Sequence, residues 1–195
     1  MPSIYSESPS DSASLRQCEI LADVVENRVI LAASEPVEDE SPPVQPVRYP
    51  YLIIMTNDCD LYWDHRTRLE VTSDQREADE DWERNYHRIS PHVVLCEAFI
   101  ESEIKGLHDL NTKRLERVKK NQEERLHLLP GDPSRNVPDL YVDFKKHLSI
   151  PTQSIYDAMA SGKITRLAIL EGDRHYDLIH RFYSYLSRIG VAEET

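Results

Sequence analysis

Asn57, Asp58, Cys59 and Asp60 follow directly on the apolar run Tyr51–Met55, and this abrupt change from strand-forming to reactive side chains is the first place where the chain could do chemistry. A thiol at Cys59 is a nucleophile only if a cation lowers its pKa, whereas its two flanking carboxylates act in the opposite direction. The nearest histidine in sequence is His65. A structural thiol or a turn residue is the plainer reading, since free cysteines are commonly just buried. Asp58, Asp60 and Asp64 together with His65 offer oxygen and imidazole ligands of the kind that suit magnesium or manganese. The competing reading is an Asx turn that closes the strand.

A second candidate is the basic run KRLERVKK at 113–120, which sets Arg114, Arg117 and Lys120 on neighbouring helical positions where they could meet RNA phosphate. Glu116, Glu123 and Glu124 dilute it, so a solvated, ion-paired helix face is the alternative. His175, His180 and Arg181 near the C-terminus read as the wet side of a helix. The stretch DQREADEDWER holds six acids around Trp82, and with Tyr86 beside it could dock a basic partner surface or imitate nucleic acid, with a solvated loop as the plainer reading.

Composition limits these options. The chain has 195 residues, and 23 Lys and Arg stand against 35 Asp and Glu, a net charge of −12 that opposes general affinity for nucleic acid or anionic membranes. No apolar run approaches the roughly 18 residues of a membrane span, and MPSIYSESPSDSAS lacks the basic and apolar regions of a secretory signal, so a cytoplasmic protein is expected. Cys18, Cys59 and Cys96 are far apart and odd in number, which suits reduced thiols.

The elements that must position these residues come from periodicity and breakers. Residues 1–14 read as a flexible tail, and 15–195 as one globular domain with a charged insertion at 66–90. Residues 15–33 read as a strand or a hairpin turning near Glu26 and Asn27, with a helix as the competing pattern. The four prolines of SEPVEDESPPVQPV make 34–47 a surface loop. Tyr51–Met55 reads as a central buried strand that exits through a turn at Asn57 to Asp60, and HVVLCEAFI as a second strand. Asn111 to Leu129 is expected to be one helix with Leu115, Val118, Leu126 and Leu129 on a shared face, capped by Asp109 or Asn111. LYVDFKKHLSI alternates as a strand with one wet face. KITRLAIL gives a short strand or a helix start, and RHYDLIHRFYSYLSRIG a closing helix that stops at Gly190.

In layout, CEILADV, the proline-rich loop, RYPYLIIMTND, HVVLCEAF and YVDFKKHLSI before a final helix resemble the MazF and PemK growth-inhibiting toxins. The resemblance implies an α+β fold: a small, strongly curved antiparallel β-barrel of the SH3-like type, carrying an inserted helix and a C-terminal helix. In that family RNA is cut without metal by an arginine immediately before the proline at the strand entrance, and a hydroxyl at the end of the next strand assists. Here Tyr49 takes the arginine's place, Arg48 stands one residue earlier, and Glu97 occupies the region of the hydroxyl. By this resemblance the chain is an interaction or regulatory module that works with a protein partner in a bacterial toxin, defence or mobile-element system. The alternative is a metal-independent endoribonuclease in which Arg48 steadies phosphate and Asp58 or Glu97 acts as base. Asn57, Cys59, Asp60, Arg114, Arg117 and Lys120 are the expected binding residues, with no cofactor and no resident metal. The expected partners are a protein, RNA through the basic helix face, or a second copy of the chain.

Overall fold

The computed structural model describes residues 3–7, 9–29, 44–70, 87–108 and 110–188. Among the described residues seven strands form one antiparallel sheet: β1 (Tyr5–Ser6), β2 (Glu19–Val29), β3 (Val44–Ile54), β4 (His92–Phe99), β5 (Leu126–Leu129), β6 (Leu140–Pro151) and β7 (Thr165–Leu170). Their spatial order is β1-β7-β2-β3-β4-β6-β5. Among the described residues β1 pairs only with β7 and β5 only with β6, so the sheet is open and does not close into a barrel.

Helices cover both faces of the sheet. α1 (Asp58–Glu70), α2 (Glu101–His108), α3 (Thr112–Lys119), α4 (Thr152–Ala160) and α5 (Gly172–Leu186) are the helices among the described residues. The stripe Leu178 and Phe182 of α5 packs on Ile20, Ile53, Cys96, Phe144 and Ala168. On the opposite face Leu61 of α1 and Ile155 and Met159 of α4 pack on Leu21, Leu52, Ile54 and Leu95. A third cluster seats Ile104 of α2 and Leu115 and Val118 of α3 against Phe99, Leu126 and Tyr141. Alternation along β3 therefore feeds two cores at once, which is why Tyr51–Met55 reads as an unbroken apolar run.

Several sequence expectations change. The stretch read as a tail holds β1, whose Tyr5 pairs with Leu170 and is buried. Arg166 of β7 donates to the carbonyls of Ser10, Ala13 and Ser14 and fixes that stretch further. β3 begins at Val44, so the last residues of the expected loop are strand; residues 34–43 lie outside those described. Asn57 to Asp60 is a helix start in place of a turn. That helix escaped the periodic reading because its buried residues are Leu61, Asp64 and Thr67, so polar groups occupy most of its inner face. Asp64 accepts from both Arg68 Nε and the Ser90 backbone N–H, and Arg68 reaches Gln153 of α4. The expected helix over 111–129 ends at Lys119, the chain turns through Asn121 (φ 52°), and Leu126 and Leu129 belong to β5. Asn111 caps α3 as expected, accepting from the Arg114 N–H at 2.9 Å. α2 and α4 have no counterpart in the sequence reading. β6 is buried on both faces from Leu140 to Phe144, so its expected wet face is covered there. Of the charged insertion, 71–86 lies outside the described residues and 66–70 closes α1, while α5 runs only to Leu186 and Gly190 lies outside as well.

One irregularity shapes the sheet. Ala22 pairs with Tyr51 and Val24 with Tyr49; between them Asp23, at φ 63°, stands across from Pro50. Leu21 and Val24, three apart, enter the same core, as do Leu52 and Tyr49, so the alternation of both strands inverts here. Ile54, whose side chain enters this core, points its carbonyl to β2, where Cys18 N–H donates to it at 2.8 Å. A strand residue with its side chain on a given face always turns its N–H to the same side. Tyr49 and Val47, packed on that core, therefore face β2 with their backbone, and Pro50, Arg48 and Pro46 face outward. Beyond this point β2 and β3 continue as a two-stranded arm that, among the described residues, no other strand flanks.

Candidate functional site

β3 and β7 run in the same direction on either side of β2, and each hands over to a helix at its C-terminal end. α1 leaves toward one face and α5 toward the other, which opens a cleft of about 490 Å³ between them. Gly172, at φ 61°, lets the chain turn from β7, which ends at Leu170, into α5 with only Glu171 between them. Arg16 and Gln17 form the floor on the approach to β2, with Asn57, Asp58 and Cys59 on one wall and His175 and Tyr176 on the other.

The floor is tightly bonded. Arg16 grips Asp58 with two nitrogens, at 3.0 and 3.2 Å, and the Gln17 backbone N–H donates to the same carboxylate at 2.7 Å. The Gln17 side chain gives its amide hydrogens to Met55 O at 3.1 Å and Asn57 Oδ1 at 3.4 Å, and its Oε1 lies 3.1 Å from His175 Nε2. Burial would raise the pKa of Asp58, but the hydrogen bonds from Arg16 and Gln17, with the charges of Arg16 and His175, hold it below the usual carboxylate value. Cys59 is exposed in the first turn of α1, contrary to the buried or turn reading, whereas Cys18 and Cys96 are buried and their thiols are pushed far up by desolvation.

A second groove adjoins the cleft and shares Arg16, Asp58 and Cys59 with it; Ser14, Tyr62 and Trp63 complete its walls. Tyr62 is 52% exposed, Trp63 40% and Tyr176 74%. Trp63 lies edge-on to Tyr62, with the Arg88 guanidinium 4.8 Å from its ring centre. Exposed aromatic side chains thus line both adjoining grooves, and the residues the two have in common supply a guanidinium, a carboxylate and a thiol.

The sequence-derived residues divide. Asn57, Asp58 and Cys59 line the cleft, and Asp60 is exposed in the same first turn. Arg48 lies elsewhere: it pairs with Asp23, and six residues of extended strand, about 20 Å, separate it from Ile54. Glu97 sits opposite Leu52 on β4 and takes Lys146 Nζ at 3.4 Å. The three residues expected to cut RNA do not converge. Arg114 and Arg117 both reach Glu123, so the two arginines of the basic face share one carboxylate, and Lys120 closes the helix. Two of the three carboxylates of the metal reading are engaged as well, Asp58 by Arg16 and Asp64 by Arg68, while His65 packs against Tyr156. Among the described residues no group of three or more His, Cys, Asp or Glu is placed to hold a metal ion.

Arg16, Gln17, Gly172 and Tyr176 carried no signal in the sequence, and His175 read only as a wet helix position. They meet Asp58 because strand order brings three distant segments together. Compared with protein-family models and with curated proteins, the chain matches none. No helix among the described residues is long and apolar enough to cross a membrane.

Proposed function

We propose that this chain is a protein-interaction module whose trough between α1 and α5 takes an extended segment of a protein partner. The observation that carries this reading is the exposure of Tyr62, Trp63 and Tyr176 along two adjoining grooves with a common floor. Solvent-facing aromatics around a polar, pre-bonded floor are the composition of binding hot spots. The paired Arg16 and Asp58, with a chain charge of −12, favour a peptide over nucleic acid. The toxin, defence or mobile-element setting implied by the MazF and PemK resemblance belongs to this proposal only through its partner. The nuclease alternative has no converging residues to support it.

The test is affinity purification of the tagged chain from its native cell, followed by binding measurements on the recovered partner. Trp63→Ala and Tyr176→Ala are each expected to weaken binding at least tenfold, and Lys113→Ala to leave it unchanged. Equal binding by all three variants would place the partner elsewhere and end this reading.

A further inference from the structure

The arm formed by β2 and β3 beyond Asp23 has two open sides, and they differ chemically. On β3 the outward positions include Pro46 and Pro50, which have no N–H to offer a neighbouring strand. On β2, Val24 pairs with Tyr49 and shares its core, so Val24, Glu26 and Arg28 direct their backbone to β3. Val25, Asn27 and Val29 consequently present N–H and C=O groups outward, and none of them is a proline. Among the described residues β7 stops pairing with β2 at Ala22, which leaves this edge free. Val25 is 55% exposed and Asn27 is exposed.

The residues on this edge are self-complementary. Val25-Glu26-Asn27-Arg28-Val29, laid antiparallel against a second copy of itself with Asn27 at the centre, sets Glu26 opposite Arg28 of the other copy and Arg28 opposite Glu26. The same register sets Val25 opposite Val29. The outward backbone of Val25, Asn27 and Val29 is the phase this register requires, because the central pair then exchanges both of its hydrogen bonds. Within one chain Arg28 Nε already donates to Glu26 at 2.9 Å, Tyr49 Oη donates to Glu26 at 3.2 Å, and the Arg28 guanidinium lies over the Tyr49 ring. Both charges are thereby held on one face beside the edge, and a second copy would extend the pair into a ring of alternating charge.

We infer that two copies of this chain associate through β2, edge to edge and antiparallel about Asn27, continuing one sheet across the two molecules. A five-residue pairing is about 16 Å long and falls below the roughly 1,000 Å² of a stable specific interface, so the dimer is weak and depends on concentration. Its ion pairs also make it weaker at high salt.

The test is sedimentation equilibrium on the full chain at low salt up to about 500 µM, where transient interfaces are populated. The wild type is expected to show a monomer–dimer equilibrium. Glu26→Arg and Arg28→Glu, each alone, face like charge with like and should weaken dimerisation at least tenfold. Mixed in equal amounts they should restore it, because each then meets its opposite. Asn27→Pro removes an outward donor while sparing the donors that face β3, and should leave a folded monomer. A wild type that stays monomeric throughout, or charge variants that dimerise as well as the wild type while their mixture gains nothing, would overturn the inference. Should either charge variant misfold by circular dichroism, an equal mixture of Glu26→Cys and Arg28→Cys, each in a Cys59→Ser background, decides: positions 26 and 28 form the close, non-hydrogen-bonded pair of this register, so oxidation should cross-link the mixture at low salt, and no cross-link counts against the proposal.

Discussion

Arg166 on β7 and Glu19 on β2 form a two-pronged ion pair in which both side chains are almost wholly buried. The same guanidinium ties down the carbonyls of Ser10, Ala13 and Ser14. Removing one member strands the other charge away from water. Glu19→Ala should therefore cost about 3–5 kcal/mol. Chemical denaturation would measure that loss, and limited proteolysis should show cleavage within 7–14 at rates the wild type does not approach.

His127 on β5 is fully buried, and neither ring nitrogen has a hydrogen-bond partner among the described residues. Burial first, then the charges of Arg181 and Arg174, push its pKa down to about 3. The unfolded chain thus takes up a proton near pH 6.5 that the folded chain refuses. Stability should fall as pH drops from about 6.5 toward 3, by roughly 3 kcal/mol at pH 4 from this group. His127→Leu should flatten that limb of the stability profile; an unchanged slope would show that the loss has another source.

Asp58 behaves in the opposite sense. Its folded pKa lies below its unfolded value, so the bonds from Arg16 and Gln17 contribute above the usual carboxylate range and are lost as pH falls through the folded value. Asp58→Asn should remove that dependence. It should also loosen the cleft floor, seen as faster amide exchange at Gln17.

Cys59 should be the thiol that reacts first in the native protein. Timed alkylation with mass spectrometry is expected to label Cys59 within minutes, and Cys18 and Cys96 only after unfolding, since both are buried and disfavour the thiolate.

Arg48→Ala, by contrast, should change little. Its partner Asp23 and the guanidinium are both more than half exposed, and such pairs contribute under about 1 kcal/mol. Thermal unfolding should shift by no more than a degree or two, and binding in the trough should be unaffected.

Elements with strong apolar patterning were legible in the sequence: β3, β4 and α5 lie where Leu52 to Ile54, Val93 to Phe99 and Leu178 with Phe182 placed them, and β7 takes the strand of the two alternatives left open for KITRLAIL. α1 was not, because Asp64 and Thr67 occupy its buried face and Asp64 takes the Ser90 N–H from outside the helix beside Arg68 within it. The single helix expected across 111–129 failed because Leu126 and Leu129 satisfy a helical spacing while serving a strand. Half of the cleft could be read, since Asn57, Asp58 and Cys59 are contiguous. The other half could not, because Gln17 and His175 meet across 158 residues of sequence, and only the order of the strands joins them.

Pro46 and Pro50 give the arm a consequence for growth. A sheet whose two free sides were equally receptive would add copy after copy and run on as a ribbon. Here one side can be answered and the other, with its missing N–H groups, cannot. Among the described residues the arm itself has one such side, so the association proposed through it closes at two.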